Sequence, residues 1–239
     1  MNNNPADSLS DAAQPEDPGR LYLSLSNGLH AMAQPLTILR GALGALTMRR
    51  DVEVDRARYL EMSAKQVERM CDMMSSLQDL LIAKQYEAVT AEFDMGDLLH
   101  PIVEDLRLDL EPIGIEISWR RPEVKISAVG DLGRTEQAVR SVLGVAQSIS
   151  CASDRIEVRV ESTRRGMEIC VQNSAPVRGR LSSSDRLGLS SAEAGVISQQ
   201  GIYEYFEDPF CVRLVLPGAE RVPQKTEAVA VSTSVFNQR

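Results

Sequence analysis

The chain has 239 residues, a formal net charge of −8 and 43% hydrophobic residues, of which few are aromatic. That composition builds a core from aliphatic and methionine side chains. With no Lys/Arg run to hold a phosphate backbone it argues against nucleic acid, and no apolar run approaches the roughly 20 residues that span a bilayer.

Residues 1–18 are rich in Asn, Asp, Pro and Ser and lack the basic and apolar segments of a leader peptide. They read as a disordered acidic arm. Residues 19–88 read as a helical hairpin. Leu25, Leu29, Met32, Leu36, Leu39, Leu43 and Leu46 alternate spacings of four and three, as do Leu60, Ser63, Val67, Met70, Met74, Leu77 and Leu81. Each set is a heptad seam, and the charged stretch "RRDVEVD" between them is a short turn. One hairpin cannot surround its own core. Two copies form a four-helix bundle, so a homodimer is expected.

Residues 89–218 change period. "VTAEF" reads as a strand, and Asp94 with Asp97 reads as the start of a helix that Pro101 kinks or shifts. "IGIEISWR" and "EVKISAV" alternate as strands, and "LGRTEQAVRSVLGVAQSIS" is an amphipathic helix. "RIEVRVES" and "MEICVQN" form a hairpin, "SSAEAGVISQQG" is a helix ended by Gly201, and "IYEYFED" and "FCVRLVLP" form a last hairpin. Together they predict a two-layer α/β sandwich. Residues 219–239 are polar and patternless and read as a disordered tail. The dispersed Cys71, Cys151, Cys170 and Cys211 read as reduced core thiols of a cytoplasmic protein, and two histidines are too few for a zinc site.

His30 falls at an outward heptad position, with Asn27, Gln34 and Thr37 on the same face. An exposed neutral imidazole is a nucleophile near pH 7. The stretch "HAMAQPLTILRG", on a hairpin followed by a sandwich, resembles the catalytic half of bacterial sensor histidine kinases over roughly residues 20–218. In their phosphoacceptor box a histidine precedes a Pro-Leu pair by five positions. His30, Gln34, Pro35, Leu36 and Thr37 fit that box, while Ala31 stands where the family places an acid.

The resemblance also implies an ATP site in the sandwich, and here the chain departs from the family. "GDLGRTEQAVRSVLGVA" has the pattern of the first box, but Val145 replaces the magnesium-binding Asn and Ser141 an earlier Asn. "ICVQNSAPV" places Asn173 at the adenine-reading Asp, and Ala175 and Val177 at the two glycines. "RLGLS" keeps Gly188 and Leu189 of the phosphate-wrapping box but has Arg186 for its first glycine, and "RGRLSSSD" is a short lid. Metal, base and phosphate contacts are all depleted.

A surviving histidine beside a depleted ATP site resembles the dimeric histidine phosphotransferases of bacterial phosphorelays. That implies relay between His30 and aspartates of response-regulator receiver domains, with no cofactor of its own, no metal ligand set, and Mg²⁺ supplied by the receiver. The alternative is a pseudokinase scaffold, with a silent His30, that binds a receiver or a histidine kinase. An active histidine kinase is the third reading.

Overall fold

The computed structural model describes residues 18–48, 53–176 and 181–218. The expected tail, the acidic arm apart from Pro18, and most of the charged turn lie outside them. Helices α1 (Pro18–Met48) and α2 (Glu53–Gln85) form the hairpin. Ala31, early in α1, packs with Met73 and Leu80, late in α2, so the two run antiparallel. Pro35 lies inside α1 without ending it, although its ring removes one helical donor.

The hairpin closes on a face beside the predicted seams: Gly28, Ala31, Pro35 and Ala42 of α1 and Met73, Leu80 and Ala83 of α2 are buried, and of the seam residues only Ser63 is. Leu25, Met32, Leu39, Leu46, Met70 and Leu77 of the seams are half-buried. Leu29, Leu36 and Leu43 of α1, and Leu60, Val67, Met74 and Leu81 of α2, stay exposed at seven-residue intervals.

The sandwich follows with strand β1 (Ala91–Asp94), α3 (Met95–Leu110), β2 (Glu116–Trp119), β3 (Ser127–Gly130), α4 (Leu132–Ile149), β4 (Arg155–Thr163), β5 (Gly166–Asn173), α5 (Ser183–Ile197), β6 (Ile202–Phe206) and β7 (Cys211–Leu216). The main sheet has the order β2-β4-β5-β7-β6. Only β2 and β4 pair in parallel there; the other neighbours are antiparallel. Strands β1 and β3 form a separate antiparallel ribbon. Ile156, Val158, Ile169, Val171, Val212 and Leu214 project from alternate sheet positions into a core completed by Leu99, Val103, Val139, Val142 and Val196 of the helices. The expected two-layer α/β architecture is therefore present.

Three sequence expectations need correction. Pro101 does not shift the start of α3, because Asp94 caps it: its Oδ1 accepts the Asp97 N–H at 2.9 Å. Helix α5 starts seven residues before "SSAEAGVISQQG". A capping box starts it early: Ser182 Oγ accepts the Asp185 N–H at 3.2 Å and Asp185 Oδ2 accepts the Ser182 N–H at 2.8 Å. The segment read as a lid and a glycine loop is thus partly helix, and Gly201 lies beyond the helix end. Of the cysteines, Cys170 and Cys211 are buried, but Cys71 and Cys151 are exposed.

Helix α5 also fastens the sandwich to the hairpin. Leu187 enters the cluster of Ala31, Met73 and Leu80, with Met32, Leu77 and Ala194 at its edge. Gly28 supplies the notch, since a Cβ there would stand 2.7 Å from Leu77 Cδ2 and 3.3 Å from both Leu187 methyls. Arg69 Nε and Nη2 donate to Ser184 Oγ at 3.3 and 3.0 Å. Farther along, Arg134 Nη2 donates to the Tyr86 carbonyl at 2.7 Å.

Asp79 of α2 faces α4 across this junction. Burial pushes its carboxyl above the usual carboxylate value, against a smaller opposing effect of its hydrogen bond with Gln137. Its Oδ2 is buried without a partner. The folded chain therefore holds a proton on Asp79 more tightly than the unfolded chain does. Stability from this group rises as pH falls towards the ordinary carboxylate range and is lost above its raised value. Asp79→Asn is expected to stabilise the protein at pH 7 by roughly 0.5 kcal/mol, a small figure because the half-exposed carboxyl is screened by solvent. The gain should vanish near pH 4, as thermal unfolding at the two pH values will report.

Candidate functional site

Two polar cavities lie where the hairpin meets the sandwich. The first opens between α1 and α5, with a volume of about 370 Å³. Asn27, His30, Ala31 and Gln34 line it from α1, and Ser183, Arg186, Leu187 and Ser190 from α5. No carboxylate lines it. The His30, Asn27 and Gln34 side chains are exposed, as their helical spacing requires. Ala31 is 9% exposed and belongs to the Leu187 cluster, and Pro35 is buried. Thr37 does not join them: its Oγ1 donates back to the Ala33 carbonyl at 2.8 Å, a bond within its own helix.

The second cavity, about 680 Å³, lies between α2, α4 and α5. It brings Ser141, Val145 and Gly188 together, the positions that the kinase resemblance assigns to nucleotide. Val145 is 4% exposed, and its Cγ2 is 3.5 Å from where a Gly188 Cβ would stand. From the hairpin, Arg69, Asp72, Ser75 and Ser76 close over the same space. Burial, and then the nearby Glu68, push the Asp72 carboxyl above its ordinary value.

Asn173 and Ala175 do not line that cavity. Asn173 is buried, donates from Nδ2 to Ser150 Oγ at 2.7 Å, and accepts the Ala175 N–H on Oδ1 at 3.0 Å. Its amide thus ties the end of β5 to the end of α4. Val177 lies outside the described residues. Arg186 turns away from the second cavity and borders the first.

Sequence reasoning missed Gly28, Leu187, Ser183 and Ser190. One signal was available. Glycine in a helix interior costs about 1 kcal/mol relative to alanine, so Gly28 two residues before His30 marks a close approach by another element.

No protein-family model and no curated protein matches the chain in sequence. Solved structures match in shape. Histidine kinase AdeS of Acinetobacter baumannii superposes with a TM-score of 0.62 at 17% identity, over 80% of this chain and 98% of that one. Histidine kinase ThkA, solved in complex with the response regulator protein TrrA, gives 0.65 at 17% identity, over 85% of this chain and 65% of that one. The fold is that of a histidine kinase's catalytic half. Within this histidine-kinase fold, α1 and α2 are the helical hairpin, and β1 to β7 with α3 to α5 are the ATPase-like sandwich. Among the described residues, no helix is long and apolar enough to cross a membrane.

Proposed function

We propose that this chain is a histidine phosphotransferase that works without ATP. His30 takes a phosphoryl group from the aspartyl phosphate of one response-regulator receiver domain and passes it to the aspartate of another. The observation that carries this reading is the contrast between the two cavities. The histidine stands in an open cleft without carboxylates, whereas Val145 offers no oxygen to Mg²⁺ and the Asn173 amide is spent on Ser150 and Ala175. Mg-ATP does not fit these residues.

The chemistry asks little of the protein. The lone pair of neutral His30 forms an N–P bond as the acyl O–P bond of the aspartyl phosphate breaks. The bond pair leaves with the receiver's carboxylate, and the reverse step loads a second receiver. An acyl phosphate is already activated, so no carboxylate beside His30 is needed as a base. Mg²⁺ belongs to the receiver. The complex of ThkA with its response regulator supports receivers as the class of partner. Such partners imply a cytoplasmic location and an upstream histidine kinase in the relay.

The functional unit is a homodimer in this reading. Leu29, Leu36, Leu43, Leu60, Val67, Met74 and Leu81 are an exposed heptad stripe that a second hairpin would cover.

One observation favours a second reading, a pseudokinase scaffold with a silent His30. Leu187 wedges α5 beside the histidine, so a receiver must share that surface with α5. Incubating the chain with phosphorylated receivers separates the two readings. Acid-labile label arriving on the chain supports the relay. Binding with no transfer from any receiver of the host overturns it in favour of the scaffold. A calorimetric titration with Mg-ATP should show no binding at millimolar nucleotide, and a dissociation constant in the micromolar range would contradict the proposal.

A further inference from the structure

Arg186 is the residue that spoils the phosphate-wrapping segment, yet its position suggests a use. Ser183, Arg186 and Ser190 are spaced three and four residues apart on α5, so they share one face, and that face borders the His30 cleft. Leu187, the next residue, is locked in the Gly28 notch, which holds the first turns of α5 against α1. Arg186 has no ion pair among the described residues. It also borders the neighbouring cavity of Glu193, Tyr203, Tyr205 and Glu207, without an ion pair to either acid. The Asp185 carboxylate sits at the α5 N-terminus, accepting the Ser182 N–H at 2.8 Å, and its charge opposes a second anion there.

We propose that the α1–α5 cleft is a phosphoryl cradle, in which the guanidinium of Arg186, with the Ser183 hydroxyl, holds the oxygens of a phosphoryl group carried on His30. The cradle deepens the phosphotransferase reading and rests on it. A planar guanidinium meets two phosphoryl oxygens with parallel N–H bonds, which suits this ligand better than a point charge does. Asn27 and Gln34 add neutral donors from the α1 side, and the cleft presents no carboxylate to repel the anion. A nucleotide-binding segment that has lost its nucleotide thereby holds the phosphoryl group on the histidine instead.

The test needs no receiver. Phosphoramidate phosphorylates imidazoles directly: its P–N bond breaks as the N–P bond to His30 forms, and ammonia leaves with the bond pair and takes up the imidazole proton. Label is followed by intact mass and ³¹P NMR, with His30→Ala as the blank. Wild type is expected to label at His30. Arg186→Gln should label about tenfold more slowly, and Arg186→Lys should recover part of the rate. The phosphoryl group on wild-type His30 should titrate about one pH unit lower than in Arg186→Gln, because a nearby cation favours the dianion. A merely structural arginine would not move that titration.

Equal labelling rates and equal ³¹P titrations in wild type and Arg186→Gln overturn the cradle, as does a wild type that labels no better than His30→Ala. Arg186 is exposed, so the Gln variant should keep its fold, which circular dichroism verifies. Transfer from receivers that is unchanged in Arg186→Gln would remove the cradle and leave the phosphotransferase standing. The ³¹P shift without transfer from any receiver would keep the cradle and remove the relay.

Discussion

His30→Ala is expected to abolish phosphoryl transfer from a phosphorylated receiver, lowering it by at least about a thousandfold, to background. The loss follows from the chemistry, since no other nucleophile lines the α1–α5 cleft except the weakly reactive hydroxyls of Ser183 and Ser190. Assembly should not change, because the imidazole is exposed on α1, away from the Leu29, Leu36 and Leu43 stripe. Acid-labile label and sedimentation, measured on the same preparation, report both outcomes. The neighbouring Ala31→Glu should behave differently. Ala31 is buried with Met73 and Leu187, so a carboxylate there would be forced into an apolar cluster at a cost of several kcal/mol. The variant should release α5 from the hairpin, with a lower thermal midpoint and faster proteolysis between the two parts. The acid that the kinase family places after its histidine would collide with this docking, and that is a physical reason for alanine here.

If two hairpins pair as proposed, Leu36→Asp combined with Met74→Asp should leave a folded monomer. Leu36 is 47% exposed and Met74 50% exposed in the single chain, so both aspartates remain solvated when the hairpin stands alone. In a four-helix bundle each carboxylate would be buried without a partner. At several kcal/mol per site and four sites per dimer, the dissociation constant should weaken by more than about a thousandfold. Analytical ultracentrifugation at micromolar concentration checks it. A wild-type chain that sediments as a stable monomer would contradict the bundle. Ala42→Asp is a useful contrast, because Ala42 faces inward and its variant should unfold the hairpin itself.

Much of the fold is legible in the amino-acid order because it rests on local chemistry. The caps at Asp94 and Asp131 need only one side chain and the amide three residues on. The hairpin of β4 and β5 needs only alternation and a tight turn at Arg164 and Arg165. The start of α5 was equally local, and Ser182 with Asp185 carried its capping box. It escaped notice because a glycine-box pattern competed for the same residues. The candidate site was legible only in part. Helical spacing puts Asn27, His30 and Gln34 on one face, and Thr37 departs from it by turning its hydroxyl into its own helix.

What the sequence by itself determined is the periodicity: two heptad helices, an alternating sheet with amphipathic helices, an outward histidine, and side chains at 145, 173 and 186 that depart from the nucleotide-binding pattern. Periodicity states which face of an element is apolar, but not which apolar face meets which. Only the tertiary structure decided that Gly28 receives Leu187 and that the hairpin closes on Ala31, Met73 and Leu80, beside the seams, while Leu29, Leu36, Leu43, Leu60, Val67, Met74 and Leu81 stay exposed. It also decided that α2 closes over Ser141, Val145 and Gly188 while Arg186 borders the His30 cleft. These pairings join residues remote in the chain, Gly28 and Leu187 being 159 positions apart. They depend on shape complementarity summed over many side chains, and no short window of sequence contains that sum.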